Sequence, residues 1–441
     1  MENIDIAVKI AEKVDKQGGR AYFVGGYVRD MLLGIDSKDI DMEIHGIYPD
    51  DLKLILAEAG KVTVYGKSFG IYSLRGHNID VAVPRKEKNT GRGHRDFEVF
   101  TDPFIGEEKA ALRRDFTINA LMKDVLTGEV IDFFGGMRDL KKGIIRHVND
   151  QSFAEDPLRV LRACGFAARF CFDIAPETIS LCRTMDLTAL PAERIEEELK
   201  KALLKGKRPS LFFEYLRRME QLDVWFPEVK ALIGVPQDVS FHPEGDVWNH
   251  TMIVLDRGAL LRDMAEEPYP YMLTVLMHDL GKTNTTEFIK GKYHAYGHEN
   301  DVSAAESLLN RLGAANAVKR YCRNMIPLHM KPHIISNDRS SVKASNRMFD
   351  KAVSKTDLLL LTAADGISKD RFDFLAERLT VYDEMMSRPY VTGTDLINPG
   401  FKPGEDFKNM LEYAHKLRLA GVSREDVVRQ IVSAGKKRKD E

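Results

Sequence analysis

One stretch near the N-terminus constrains this chain more than any other: Gly25-Gly26-Tyr27-Val28-Arg29-Asp30, then Gly34, then Asp39-Ile40-Asp41. Ala21-Tyr22-Phe23-Val24 reads as a short buried strand ending at the glycines, and Val28 to Leu33 as the start of a helix. Without Cβ atoms, Gly25 and Gly26 let the backbone approach a phosphate closely. The helix that follows points its N-terminal N–H groups at the anion. Arg29 can add a forked, charge-assisted contact to a phosphate oxygen. On a strand, Asp39 and Asp41 project from one face because side chains alternate with period two. Two hard oxygen donors side by side suit Mg²⁺ held together with substrate phosphates. A pair of ions roughly 3.5–4 Å apart can then steady both the attacking and the leaving oxygen of an in-line displacement. A lone Gly-Gly is an ordinary turn and a lone Asp-x-Asp an ordinary solvated edge. Their order, from strand to glycines to helix to paired acids, implies a site for nucleotidyl transfer.

With 441 residues the chain is too long for one ordinary core, so two to four domains are expected. Lys and Arg number 65 against 67 Asp and Glu, a formal charge of −2, so any affinity for nucleic acid must come from local patches. Lys200, Lys201, Lys205, Lys207 and Arg208 form one candidate patch. The four cysteines (Cys164, Cys171, Cys182 and Cys322) contain no C-x-x-C pair and read as reduced residues, three of them on apolar helix faces. The acidic N-terminus has no cationic leader, and no apolar run approaches the ~20 residues that span a bilayer. A soluble, cytoplasmic protein is the expectation.

Strand signals (Lys61–Tyr65, Ile71–Leu74, Ile79–Val83, Glu129–Phe134) are confined to the first part of the chain. Amphipathic helices dominate beyond Asp156: Pro157–Phe170, Ala192–Leu204, Pro209–Glu220, Thr251–Leu261 and Val302–Leu312. The fold class is therefore an α+β head followed by an all-α body. Seams at Gly143–Asn149, Gly234-Val235-Pro236 and Ser387-Arg388-Pro389 divide it into segments 1–145, 146–235, 236–386 and 387–441.

Further polar pieces lie in and just after the head. Asp80, in the alternating run Asn78–Val83, is either a third carboxylate beside Asp39 and Asp41 or an ordinary edge aspartate. The basic loop between Arg85 and Arg95 is either a closing flap or a solvated charge run. Arg113-Arg114-Asp115-Phe116-Thr117-Ile118-Asn119-Ala120-Leu121 is expected to open a helix, with two arginines at its mouth. In Glu155-Asp156-Pro157-Leu158-Arg159-Val160-Leu161-Arg162, proline at the first helical position makes Asp156 an N-cap. Asp156, Arg159 and Arg162 then lie roughly along one face. The same residues suit base recognition. Cytosine and adenine both present an amino donor beside a ring-nitrogen acceptor, which a carboxylate and a guanidinium complement. Uracil and guanine reverse that order and leave the protein groups unpaired.

Together these motifs resemble the class II tRNA nucleotidyltransferases, the CCA-adding enzymes, and their relatives the bacterial poly(A) polymerases. Pro191-Ala192-Glu193-Arg194-Ile195 resembles the segment that braces the nucleotide-reading helix in that family. The resemblance implies a polymerase-β-like palm in the head, Mg²⁺ on Asp39 and Asp41, and triphosphate contacts from Gly26, Arg29 and Arg114. It implies base reading by Asp156 and Arg159, with Arg162 in the nucleotide pocket. The implied partners are tRNA, ATP and CTP. Gly165 stands where family members often carry a further arginine, and the basic loop around Arg92–Arg95 accompanies addition of the terminal A.

A second constellation lies in the helical half: His250, His278-Asp279 with Gly281-Lys282 behind it, and Asp365. Imidazoles and carboxylates at buried helix ends can ligate a divalent transition metal and activate its water for phosphate-ester hydrolysis. A single helix histidine is usually structural; the His-Asp doublet with its flanking His and Asp resembles the HD phosphohydrolase superfamily. His294, His298 and His329 are candidates for the same pocket. His242-Pro243-Glu244 and His294-Ala295-Tyr296-Gly297-His298 resemble the CCA-adding enzymes whose HD domain is a phosphatase and 2′,3′-cyclic phosphodiesterase. The expected function is thus untemplated CCA addition to tRNA, with an HD hydrolase fused behind it. A poly(A) polymerase and an HD-dominated hydrolase with a nucleotide-binding head are the alternatives.

Overall fold

The computed structural model describes residues 3–37, 39–65, 70–89, 97–387 and 390–437. The chain divides into two compact units, Met1–Glu198 with Leu211–Gln221, and Leu199–Ser210 with Leu222–Glu441.

The first unit is built on a seven-stranded sheet. In chain order its elements are α1 (Asn3–Lys16), β1 (Arg20–Val24), α2 (Gly25–Leu32), β2 (Ile40–His45), α3 (Pro49–Ala59), β3 (Val62–Tyr65), β4 (Ile71–Leu74) and β5 (Ile79–Ala82). A hairpin of β6 (Arg85–Asn89) and β7 (Phe97–Thr101) follows, then α4 (Glu107–Ala111), β8 (Met122–Asp124) and β9 (Val130–Ile131). The strand order is β3-β4-β5-β2-β1-β8-β9, and β2 pairs with β5 in parallel. α1 buries Ile6, Ala7, Ile10, Ala11 and Val14, a stripe at helical spacing that packs on β1 and α3. Burying each of the larger side chains contributes about 1.5–3 kcal/mol. β2 alternates differently: Ile40, Met42 and Ile44 enter the core, while Asp41, Glu43 and His45 share the other face.

After the sheet come α5 (Gly136–Lys142), α6 (Asp150–Ala154), α7 (Leu158–Phe170), α8 (Pro176–Arg183) and α9 (Ala192–Lys205). Three local expectations need correction. The helix after β1 begins at Gly25 and Gly26 themselves, so the glycines are its first turn rather than a loop before it. Arg113–Leu121 does not open a helix: only one 3₁₀ turn forms, Thr117–Asn119. Polar side chains take the backbone partners there, because Asp115 Oδ1 accepts from the Phe116 N–H and from Asn119 Nδ2. The strand expected over Glu129–Phe134 shrinks to Val130–Ile131, because the Asp132 carboxylate accepts N–H groups from Phe134, Gly136 and Met137 and turns the chain into α5.

Among its described residues the second unit is helical apart from a small hairpin, Glu287–Ile289 with Lys292–His294. Three of its helices, Val247–Leu261, Pro268–Met277 and Lys355–Asp365, pack on one another. A distal cluster of Leu396, Phe401, Ala414, Val427 and Ile431 gives the C-terminal helices their own small core. Among the described residues no helix is long and apolar enough to cross a membrane.

Candidate active sites

A cleft of about 620 Å³ opens in the first unit. Gly25 and Gly26 line it, as do Asp41 and Glu43 from β2 and Asp156, Arg159, Arg162, Phe166 and Arg169 from the α7 region. Eight arginines face it against four carboxylates (Asp41, Glu43, Asp115 and Asp156), so a chain of near-zero net charge concentrates positive charge here. Such a recess attracts polyphosphate.

Asp41 sits opposite Asp80 in the parallel register of β2 and β5, and Asp39 lies just before β2 begins, two residues ahead of Asp41. All three carboxylates are solvent-accessible. The Asp41 carboxyl is raised above its ordinary range, first by the desolvating walls and then by the charge of Asp80, with Asp39 adding to it. Neighbouring negative charge would favour a cation beside Asp41, but the three carboxylates are not among the described groups close enough to hold one ion together. Gly25 has φ +66°, the left-handed region, and a Cβ there would meet Arg114 Nη1 at 3.1 Å and Asp41 Oδ2 at 3.8 Å. Glycine is thus what lets the helix start, Arg114 and Asp41 converge. Arg114 is aimed by Glu43, whose Oε2 lies 3.0 Å from Nη2. Glu43, which the sequence reading passed over, is held in turn by His45 at 2.9 Å.

Arg29 is only 3 % exposed, so its guanidinium is largely committed inside the protein. It bonds Asp30 at 2.8 Å and Asn119 at 2.5 Å, and lies over the rings of Phe166 and Phe170. Burial lowers its pKa and Asp30 opposes that fall. Asp30 also pairs with Arg169 at 2.9 Å, which fastens α2 to α7.

On α7, Arg159 donates to the carbonyls of Ser152 (2.8 Å) and Arg113 (2.9 Å), fixing the plane of its guanidinium. Arg162 is clamped by Asp115 Oδ2 through Nε at 2.8 Å and Nη2 at 2.6 Å. Burial works against the Arg162 charge, but Asp115 outweighs it and raises the pKa. Asp156 lies just before α7, one residue ahead of the Pro157 cap position: Oδ1 accepts the Leu158 N–H at 3.1 Å, and Oδ2 lies 3.5 Å from Arg194. Arg194 belongs to the Pro191–Ile195 segment and lines the cleft too. A Cβ at Gly165 would touch only Glu198 Oε2, at 3.9 Å, so there is room for a side chain beside an acid at this position. The basic loop at Arg92–Arg95 lies outside the described residues.

The second unit holds a cleft of about 640 Å³. His250 stands in the first turn of Val247–Leu261, His278 caps the C-terminus of Pro268–Met277, and Asp365 ends Lys355–Asp365. An acid in a last turn opposes the helix dipole, so Asp365 is placed there against local preference. His250 Nε2 lies 3.0 Å from Asp365 Oδ1 and 3.6 Å from Asp279 Oδ2, and His278 Nε2 lies 3.4 Å from Asp279 Oδ2. The four residues expected to meet do meet. His278 donates Nδ1–H to the Val275 carbonyl at 2.8 Å, which leaves Nε2 as a bare, buried acceptor without a hydrogen-bond partner. That is the tautomer a metal ligand needs. His250, His278 and Asp279 are close enough to hold one ion, and Asp279, His298 and His329 form a second such group.

His298 and His329 both turn Nδ1 to backbone carbonyls, and their Nε2 atoms face each other at 3.2 Å. One must carry a proton or both must share a cation. Burial opposes protonation of His298, but Asp279 at 3.1 Å outweighs it; His329, buried beside His278, is pushed down to about 3. His294 lines the same cleft, outside these metal-sized groups, and stacks on Tyr296. The sequence reading missed Glu244 as the orienter of His250 (2.7 Å) and His333, whose Nε2 lies 2.9 Å from Asp365 Oδ2. The spacing of His329 and His333, one helical turn apart, was the available signal.

The glycine of His278-Asp279-Leu280-Gly281-Lys282 has a steric cause. A Cβ there would lie 2.1 Å from the His298 carbonyl oxygen and 2.9 Å from that of Asp301. Gly281→Ala is therefore expected to push the His298 segment off Asp279 and to cost about 1–3 kcal/mol of stability. A thermal melt of the second unit's transition checks this; an unchanged midpoint would refute the close contact.

A family model for the poly A polymerase head domain matches residues 21–146, and another, for the probable RNA and SrmB-binding site of polymerase A, matches residues 171–233. A multifunctional CCA protein of Neisseria gonorrhoeae is 39 % identical over 343 residues, 77 % of this chain and 79 % of that protein. The chain belongs to the family of class II CCA-adding enzymes and poly(A) polymerases. A second CCA-adding relative, the multifunctional CCA protein of Pasteurella multocida, is 36 % identical over 398 residues, 87 % of this chain and 92 % of that one. The fold is that of CCA-adding enzymes as well. The Thermotoga maritima enzyme, solved in complex with tRNA, superposes with a TM-score of 0.68 at 23 % identity, over 98 % of this chain and 95 % of that one.

Proposed function

We propose that the first cleft adds or repairs the 3′-terminal CCA of tRNA from CTP and ATP, with no nucleic-acid template. The observation that carries this is the convergence of Asp41, Gly25 and Arg114 in one arginine-lined recess, with Asp80 beside Asp41 in the strand register. Structures similar in fold include CCA-adding enzymes bound to ATP and to CTP. The RNA 3′-hydroxyl attacks the α-phosphate and pyrophosphate leaves. Asp39 and Asp41, with Asp80 beside them, would hold Mg²⁺, which supplies charge neutralisation and a more acidic hydroxyl. Gly26 and the N–H groups of α2 approach the triphosphate, and Arg114 offers it a guanidinium oriented by Glu43. Arg29 acts from below by fixing the glycine turn against α7. Asp156 and Arg159 read the base, and Arg162 borders the same pocket.

Incubating tRNA that lacks its CCA end with all four nucleotides tests this directly. A ladder that stops after CCA is expected; an open-ended A tail would make the chain a poly(A) polymerase instead. With Arg159→Ala, discrimination of C and A against U and G is expected to fall at least about tenfold. Selectivity unchanged in single-nucleotide incorporation assays would reduce Asp156 to an acceptor at the start of α7.

We also infer that segment 236–386 is an HD phosphohydrolase acting on phosphomonoesters or 2′,3′-cyclic phosphates. His250, His278, Asp279 and Asp365 would hold a divalent transition metal, which supplies an activated water. Glu244 orients His250, and Lys282, 2.7 Å from Asp279, brings a cation to the phosphate side. We place the protein in the cytoplasm, where its tRNA substrate is found.

A further inference from the structure

The strand that carries Asp41 continues with two more polar side chains on the same face, Glu43 and His45, and both are buried, at 8 % and 5 % exposure. A buried carboxylate is costly unless its oxygens are answered. Glu43 meets that condition with a different partner at each oxygen. Oε2 lies 3.0 Å from Arg114 Nη2, and Oε1 lies 2.9 Å from His45 Nε2. His45 in turn packs edge-to-face on Tyr22, with ring centroids 5.4 Å apart and planes at 84°. Tyr22 is anchored by donating its hydroxyl to Glu107 at 2.9 Å. With both oxygens engaged the Glu43 carboxylate cannot turn, and it holds Arg114 in one orientation.

Arg114 keeps the rest of its guanidinium for the cleft that it lines. Nη1 faces the glycine turn, where it would stand 3.1 Å from a Cβ at Gly25. Nε is buried and has no hydrogen-bond partner among the described residues. A guanidinium tied back at one nitrogen, with a second at a helix start, is prepared for an anion. Asp156 and Arg159, which serve the base, come from the α7 region instead.

We propose that Glu43 and His45 are positioning residues for the triphosphate: they tether Arg114 at the glycine turn, where it grips the phosphates that leave as pyrophosphate. This rests on the nucleotidyl-transfer reading above and deepens it. An untethered arginine loses rotamer freedom when it binds, and that ordering weakens the complex. The tether removes the cost in advance and acts on the phosphates alone.

The test titrates full-length protein, with Mg²⁺ and no RNA so that nothing turns over, with CTP, pyrophosphate and CMP in a calorimeter. Glu43→Gln keeps the volume and removes the charge; His45→Phe keeps a ring and removes the donor. Each is expected to weaken CTP and pyrophosphate about tenfold and to leave CMP within about twofold. His45→Gln, which retains a donor, should stay within about twofold of the wild type for all three. In an Arg114→Ala background Glu43→Gln should weaken nothing further, because the tether has nothing left to hold. Wild-type pyrophosphate affinity in either single variant, equal losses for CMP and pyrophosphate, or additivity with Arg114→Ala would overturn the assignment. His45→Phe leaves the Glu43–Arg114 pair in place and decides the matter alone if Glu43→Gln does not fold. In turnover, KM for CTP should rise about tenfold with kcat within about twofold, and a fall in kcat alone counts against the tether. Wild-type protein that shows this pattern of binding yet extends no tRNA would sink the transfer reading and leave the tether standing.

Discussion

Asp41→Ala is expected to lower nucleotide incorporation by about a thousandfold or more, because it removes a carboxylate proposed to hold the divalent ion in the head. The same change should raise, not lower, the thermal stability of the metal-free protein. The sign follows from the titration. The Asp41 carboxyl is raised by desolvation and by Asp80, so the folded state binds its proton more tightly than the unfolded chain does. Its contribution to stability is therefore lost as pH rises through the raised value, and at neutral pH the charge opposes folding. Alanine relieves that opposition. A variant that is inactive, retains tRNA in a filter-binding assay and melts at a higher temperature would carry the signature of a site strained for function. Pairing Asp39→Ala with Asp41→Ala should abolish incorporation outright. Wild-type turnover in either protein would remove the metal role from these acids.

How legible this site was depended on how local its causes are. The β2 acids and the glycine turn could be read because strand alternation and missing Cβ atoms act over a few residues. The surroundings of Arg29 could not. It lines the cleft, as its position after the glycines suggested, but the fold also holds it 3 % exposed between Asp30, Asn119 and two phenylalanines of α7. Three of those partners lie far along the chain, and no spacing rule connects them. Glu43 was overlooked for a related reason: beside Asp39 and Asp41 it looks like one more strand acid, and only the arrival of Arg114 gives it a task. Helix limits in the Arg113–Leu121 segment failed because Asp115 and Thr117 bond laterally, to Asn119 and Asp139, instead of leaving the backbone to a helix.

The helical half was readable in a different way. His250, His278 and Asp365 each stand at a helix end or in a first or last turn; helix signals already set His250 before Thr251–Leu261 and His278 after the apolar run Tyr271–Met277, but gave Asp365 no such place. That those tips meet is a tertiary fact, and with it come Glu244 and His333. The arginine cleft is lined by residues of one unit and the histidine cleft by residues of the other.

His278→Ala is accordingly expected to leave the CCA ladder intact while hydrolysis of 2′,3′-cyclic phosphates falls by about a thousandfold. Bound transition metal, measured by elemental analysis after desalting, should fall with it, because His278 Nε2 is the buried acceptor left bare in the cluster. His278→Gln, which keeps more of the volume, guards against simple loss of packing, and far-ultraviolet circular dichroism reports the helices in both variants. Hydrolysis at the wild-type rate in folded His278→Ala protein would mean that the cluster is structural. Loss of the CCA ladder in the same protein would mean instead that the two clefts are coupled, which their separate linings give no reason to expect.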